Sequence, residues 1–221
     1  MTGLALFDLD GTLLDTASTV VDTSTATLAA LGVHGTTPEA IRATIGRPLT
    51  EAFAQLLDAP ADAETVTTAV RTYLTLYRER IVPRAPALLY PGVARGLARL
   101  RSHGRTLAVA TNMLTASAEV LLTAAGLRDH FAMVVGADAV PRPKPAPDAG
   151  LLITAELGHR PAESVMVGDT VNDLHMANAA GMPSIAVTYG LHPEARLRTA
   201  TPTWLAPTFP AVVDRILAPP G

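Results

Sequence analysis

The chain has 221 residues, 48% of them hydrophobic, with a formal net charge of -3 and a pI near 6.0. Those values supply material for one core-forming domain, or for a domain with a sizeable insertion, and they speak against the basic face that nucleic-acid binding asks for. There is no Cys, which excludes disulfides and thiolate metal sites. No targeting segment and no bilayer-length apolar run are visible, so the expectation is a soluble cytoplasmic protein with no membrane partner.

Leu4-Ala5-Leu6-Phe7 reads as a short buried strand that runs into an acidic turn. Helical periods then fill the chain to about residue 84, with no convincing strand. One helix is expected over 17–31, ending at Gly32, and short ones over 38–45 and 48–57. A longer helix over 63–80 carries Val66, Ala69, Val70, Tyr73, Leu74 and Tyr77 at helical spacing, and Pro83 and Pro86 close the region. After Pro91 the pattern alternates. Helices are expected over 93–103, 116–125, 147–157 and 171–180, with strands over 106–110, 133–135, 164–167 and 184–187. The tail holds a short strand at 204–205 and a last helix to about 217.

Alternation of this kind implies an α/β fold, a Rossmann-like doubly wound parallel sheet with helices on both faces. The expected division is a core of residues 1–15 and 86–221, with an all-helical cap of 16–85 inserted after the first strand. Ligands of such sheets sit beyond the carboxyl ends of the strands, so the residues that follow each strand matter most.

After the first strand come Asp8-Leu9-Asp10-Gly11-Thr12. Side chains alternate along a strand, so Asp8 and Asp10 lean to the same side, and Gly11 allows the sharp bend. Two carboxylates in one crevice ask for a cation or a proton, and Mg²⁺ suits hard oxygen ligands shared with phosphate. Taken alone the run is equally an Asp-Gly turn. After the strand at 106–110 come Thr111 and Asn112, which can bond a phosphate oxygen or simply cap the next helix. The only Lys of the chain, Lys144, lies in a Pro-rich loop and is suited to neutralising a phosphate or a buried acid. After the strand at 164–167 come Gly168-Asp169-Thr170, with Asp173 one helical turn on. Asp169 can face Asp8 and complete a metal site. Four strand ends supplying such a set together argue for one site.

These four motifs, in this order, resemble those of the haloacid dehalogenase superfamily of phosphohydrolases, over essentially the whole chain. Tyr90-Pro91-Gly92 and the cap segment Ile45-Gly46-Arg47-Pro48-Leu49 look like the phosphoglycolate phosphatase-like members. The resemblance implies a phosphoric monoester hydrolase acting on a small phosphorylated metabolite, with Mg²⁺ as cofactor. It makes Asp8 the nucleophile and a metal ligand. Asp10 becomes the general acid and base, and a ligand through its carbonyl. Thr111, Asn112 and Lys144 fall at the phosphate, Asp169 at the metal, and Asp173 in support.

Ion pumps of the superfamily carry Thr at the position of Asp10 and dehalogenases carry Tyr, so Asp10 favours phosphate hydrolysis. Sugar phosphomutases of the β-phosphoglucomutase type have a His where this chain has Val20, which places that reading second. A non-catalytic binding protein on the same fold ranks third, since Asp8, Asp10, Lys144 and Asp169 are all present. In the cap, Gly46 and Arg47 form a loop expected to reach toward the substrate, Arg47 either meeting a second anionic or polar group or standing as a surface residue next to a turn. His175 follows Asp169 but is given no role. The substrate itself and the oligomeric state are not legible.

Overall fold

In the computed structural model, which describes residues 3–218, six parallel strands form one sheet in the order β3-β2-β1-β4-β5-β6. They are β1 (Leu4–Phe7), β2 (Thr106–Ala110), β3 (Met133–Val135), β4 (Ser164–Gly168), β5 (Ser184–Val187) and β6 (Trp204–Ala206). β1 is buried along its whole length. Its alternate residues serve two cores: Ala5 and Phe7 pack on one face, Leu4 and Leu6 on the other. This two-sided burial is why the strand reads as a continuous apolar run rather than an alternation.

One face is covered by α5 (Val93–Ser102) and α10 (Phe209–Leu217), which pack on each other. The Phe7 ring meets Phe209 at 5.9 Å and Phe131 at 6.3 Å. α7 (Asp148–Glu156) and α8 (Val171–Ala179) cover the other face through Ala149, Ile153, Met176 and Ala177. α6 (Thr115–Ala124) follows β2, and α9 (Glu194–Thr199) follows β5.

Between β1 and α5 lie four α-helices and no strand. They are α1 (Ala17–Ala30), α2 (Pro38–Arg42), α3 (Leu49–Leu57) and α4 (Glu64–Arg80). α4 buries Val66, Ala69, Tyr73 and Tyr77, a stripe at helical spacing, and packs on α1 and α3. Thr37 caps α2 by accepting the Ala40 amide at 3.2 Å, with Pro38 in the first turn. The two passages between sheet and helices run side by side. The Asp15 amide donates to the Leu88 carbonyl at 2.7 Å, the Tyr90 amide to the Leu13 carbonyl at 3.1 Å, and Leu14 bridges Leu89.

The expected strands and helices all form, with bounds within three residues of expectation. Besides three single 3-10 turns at Arg128–His130, Ala137–Ala139 and Pro161–Glu163, two longer elements were not expected. Residues Val82–Leu88 turn as a 3-10 helix through two prolines, and α9 forms on a charged segment with Leu197 as its buried anchor. No helix among the described residues is long and apolar enough to cross a membrane.

Gly96 of α5 is where α10 comes closest. A Cβ built there would lie 2.6 Å from the Phe209 ring and 2.8 Å from Val213. Overpacking of this kind costs ~1–3 kcal/mol. Denaturant unfolding of Gly96→Ala should show that loss at an unchanged m-value. A change under ~0.5 kcal/mol, the size of an ordinary surface substitution, would mean that α10 slides freely over α5.

Candidate active site

Asp8 extends β1 by one residue, its amide donating to the Val167 carbonyl at 3.0 Å. The chain then folds back tightly: the Gly11 amide bonds Leu14, and the amides of Thr12, Leu13 and Leu14 all point to the Leu9 carbonyl. Gly11 sits at φ +82°, and a Cβ there would fall 2.0 Å from Asp169 Oδ2. Both the backbone angle and the neighbouring acid therefore demand glycine. Asp10 is turned toward Thr16, whose hydroxyl donates to its Oδ1 at 2.5 Å.

Carboxylate oxygens of Asp8, Asp169 and Asp173 lie within 4.8 Å of one another, and all three residues are buried. One cation stands among them. Lys144 Nζ donates to Asp173 Oδ1 at 2.6 Å and to the Ala110 carbonyl at 2.8 Å. It is 3.0 Å from Asp8 Oδ1, close enough for an ion pair but not aligned as a hydrogen bond, so that oxygen is left without a donor. The other acids are better served. Asp169 accepts from the Thr12 hydroxyl at 2.9 Å and from the Leu191 amide at 2.8 Å. Asp173 Oδ2 accepts from the Thr170 amide and hydroxyl, which fixes the start of α8.

Asn112 holds Lys144 in place. Its Oδ1 accepts the Lys144 amide at 3.0 Å, and its Nδ2 donates to the Lys144 carbonyl at 2.9 Å. The same Nδ2 reaches the Gly46 carbonyl at 2.9 Å, and Asn172 Nδ2 reaches that carbonyl at 3.1 Å. Two core asparagines thus grip the helical module at one point. Gly46 is at φ +87° with Thr170 against it, so the loop's approach to the core also depends on glycine. Thr111 is buried, and its hydroxyl accepts the Met113 amide at 3.2 Å.

The fold therefore gathers Asp8, Asp10, Thr111, Asn112, Lys144, Asp169, Asp173 and the Gly46–Arg47 loop at one edge of the sheet. His175 stays apart, exposed on α8. Sequence reasoning gave no role to Thr16 or Asn172, and the Leu191 amide could not be read at all. Asn172 does lie inside the run after β4, which was the available signal.

Electrostatics follow from the count of acids. Burial pushes the Asp8 carboxyl up to about 7, with Asp173 and Asp10 adding to the rise and Lys144 opposing it. Burial also raises Asp10, against the Thr16 hydrogen bond and Lys144. Asp169 is held well above the usual range by burial, then by Asp173 and Asp8. Burial alone would lower Lys144, but Asp173 and Asp8 outweigh it, so the ammonium is retained. The set fits Mg²⁺: every donor is a hard oxygen, Asp8 Oδ1 is buried with no hydrogen bond beyond its ion pair to Lys144, and the acids outnumber the cation.

Raised carboxyl values have a consequence for the metal-free protein. The folded chain holds protons that the unfolded chain, with Asp near 3.8, releases. This contribution to stability is present below about pH 4 and is lost as pH rises through about 7. In chelator, thermal unfolding should show that decline, and Mg²⁺ should raise Tm more at about pH 8 than at about pH 5. Equal gains at both values would mean that the acids do not share the ion.

Comparison with known proteins agrees with this geometry. The sequence model of the haloacid dehalogenase-like hydrolase family matches residues 5–187. The chain is 49% identical to "Probable phosphatase IndB" of Dickeya dadantii, over 96% of this chain and 93% of that protein. It is 36% identical to a phosphoglycolate phosphatase of Chromobacterium violaceum, over 83% and 84%. Among solved structures, a predicted phosphoglycolate phosphatase from Haemophilus somnus superposes with a TM-score of 0.86 at 24% identity, over 96% of this chain and 97% of that one. That likeness shows the fold. CbbY from Rhodobacter sphaeroides, solved in complex with phosphate, gives 0.77 at 28% identity, over 95% of each chain. With the family match running from the strand that carries Asp8 to the end of β5, the chain belongs to the haloacid dehalogenase-like hydrolases.

Proposed function

We propose that the protein is a magnesium-dependent phosphatase of a small phosphomonoester, with the phosphoryl group carried transiently on Asp8. One observation carries this reading. The Asp8 carboxylate is buried at the carboxyl edge of the sheet, with one oxygen ion-paired to a fixed ammonium but accepting no aligned hydrogen bond, and it lines a cavity.

An Asp8 oxygen attacks phosphorus as the ester P–O bond breaks. The protonated Asp10 carboxyl gives its proton to the departing oxygen, a role that its raised pKa suits. Asp10, now a carboxylate, takes a proton from water as that water attacks phosphorus. The Asp8–phosphorus bond breaks, and inorganic phosphate and free Asp8 result. Lys144 offsets the charge that would otherwise repel a phosphate from a carboxylate. Thr111 and Lys144 hold the phosphoryl oxygens, and Asn112 positions Lys144. Held by Asp8, Asp169 and the Asp10 carbonyl, Mg²⁺ would stabilise charge on the transferring group. Asp173 supports the site through Lys144 and Thr170 rather than through a free oxygen.

Residues 1–15 and 86–221 form the core in this reading, and 16–85 form a lid that excludes water. The paired passages at 13–15 and 88–90 are where such a lid would turn. Arg47, exposed on the loop that lines the cavity, meets a polar or anionic group of the substrate. Phosphoglycolate, the substrate in the names of several relatives, is the first compound to assay. Val20 also lines the cavity, leaving an apolar side chain where a mutase of the family would have a His. The absence of Cys fits a cytoplasmic setting.

With Mg²⁺ present, phosphate release from a panel of phosphomonoesters should fall by at least about 10³-fold in Asp8→Asn, with Tm kept or raised. Turnover that survives the substitution would rule out the covalent route. Arg47→Ala should raise KM unevenly, most for esters with a second polar group, by about tenfold. Small equal effects across the panel would leave Arg47 as a surface residue.

A further inference from the structure

Apart from Asp8, Asp10 and the exposed Arg47, the residues lining the cavity are uncharged. The cavity measures about 80 Å³. At roughly 10–15 Å³ per water, that is room for about five to eight waters. Its phosphate end is polar, with Asp8, Asp10, Thr111 and Asn112. The lid side is a wall of Leu49, Phe53, Leu56, Tyr73, Leu74 and Tyr77. Phe53 meets Tyr73 edge-on at 5.6 Å, and Tyr73 lies 6.1 Å from Tyr77. Burial, followed by the neighbouring Asp10, keeps both tyrosine hydroxyls un-ionised, so the wall stays neutral beside the acids.

We infer that the leaving alcohol carries an apolar body of about one ring, seated against this wall between the phosphate and the Arg47 loop. The inference rests on the phosphatase reading and deepens it. Phosphoglycolate offers a single methylene between two anions. Even with its carboxylate answered by Arg47, it would leave the wall of leucines and aromatic rings without an apolar partner. A ring covers Phe53, Tyr73 and the three leucines at once. Leu49, Leu56 and Leu74 are half-buried and line the cavity; Leu49 and Leu56 also pack on the core, and what each leaves uncovered is offered to a ligand.

Benzyl phosphate, ethyl phosphate and phosphoglycolate separate the alternatives, because all three are esters of unactivated alcohols. With Mg²⁺, kcat/KM for benzyl phosphate should exceed both others by at least about tenfold, the lower end of what one methylene is worth in an apolar pocket. Leu74→Arg should erase that preference while circular dichroism stays unchanged. If that variant unfolds, Leu56→Arg takes its place. Calorimetry with the non-hydrolysable benzylphosphonate and phosphonoacetate reads the pocket without turnover, and the first should bind at least about tenfold tighter. Phosphoglycolate ahead of benzyl phosphate, with the lead lost in Arg47→Ala, would overturn the inference. Equal binding of the two phosphonates would overturn it as well. Tight benzylphosphonate binding with no turnover of any ester would uphold the apolar pocket and sink the phosphatase reading instead.

Discussion

Lys144 is the counter-charge on which the site depends, standing 2.6 Å from Asp173 and 3.0 Å from Asp8 in surroundings closed to water. Taking charges out of water is costly, and removing one partner of a buried pair typically costs ~3–5 kcal/mol. Here one ammonium serves several acids, and the shortfall is met by neutral donors. Thr12 and the Leu191 amide serve Asp169, Thr170 serves Asp173, and Thr16 serves Asp10. Among these acids Asp8 alone keeps a fully buried oxygen with no aligned hydrogen bond, only the Lys144 ion pair. It is therefore the point at which a cation, a proton or an electrophilic phosphorus lowers the energy most.

Sheet order explains why these groups meet. β1 lies between β2 and β4, so the segments after three adjacent strands open onto one crevice where the winding direction changes. Asp8 comes from the first, Thr111 and Asn112 from the second, and Asp169 and Asp173 from the third. Lys144 arrives on the loop after β3, and Asn112 clamps both its amide and its carbonyl. The same asparagine binds Gly46, so Lys144 and the helical module are coupled through one side chain. Moving that module away would release one of the two acceptors of Asn112 Nδ2 and leave the Lys144 clamp in place.

The elements were legible where burial is periodic. β1 and β4 are apolar runs that lead into an Asp, β2 is one that leads into Thr111, and α4 carries a stripe from Val66 to Tyr77. α9 escaped because six residues, Glu194–Thr199, bury only Leu197 and show no stripe. The turn over Val82–Leu88 escaped because two prolines read as a break, although proline suits the start of a tight helical turn. Residue types at the strand ends made most of the site visible. Its backbone partners were less so: the Leu191 amide, a donor, and the Gly46 carbonyl, an acceptor, are main-chain groups, and only the fold says where they point.

Tyr73 and Tyr77 show a deeper limit. Their spacing on α4 is that of a helix face turned to a core, and they do pack with Phe53 and with each other. The same side chains also line the cavity over Asp8 and Asp10. Periodicity reports that a face avoids water, not whether protein or ligand covers it. What separates the two is location. A neutral apolar wall set against a cluster of buried acids contributes nothing to compensating their charge. It strengthens their fields by lowering the local dielectric, so the burden of answering them falls on Lys144 and the neutral donors. An apolar wall and an under-compensated carboxylate thus act together: the wall raises the cost of the buried Asp8 charge, and a cation or a proton beside it relieves that cost.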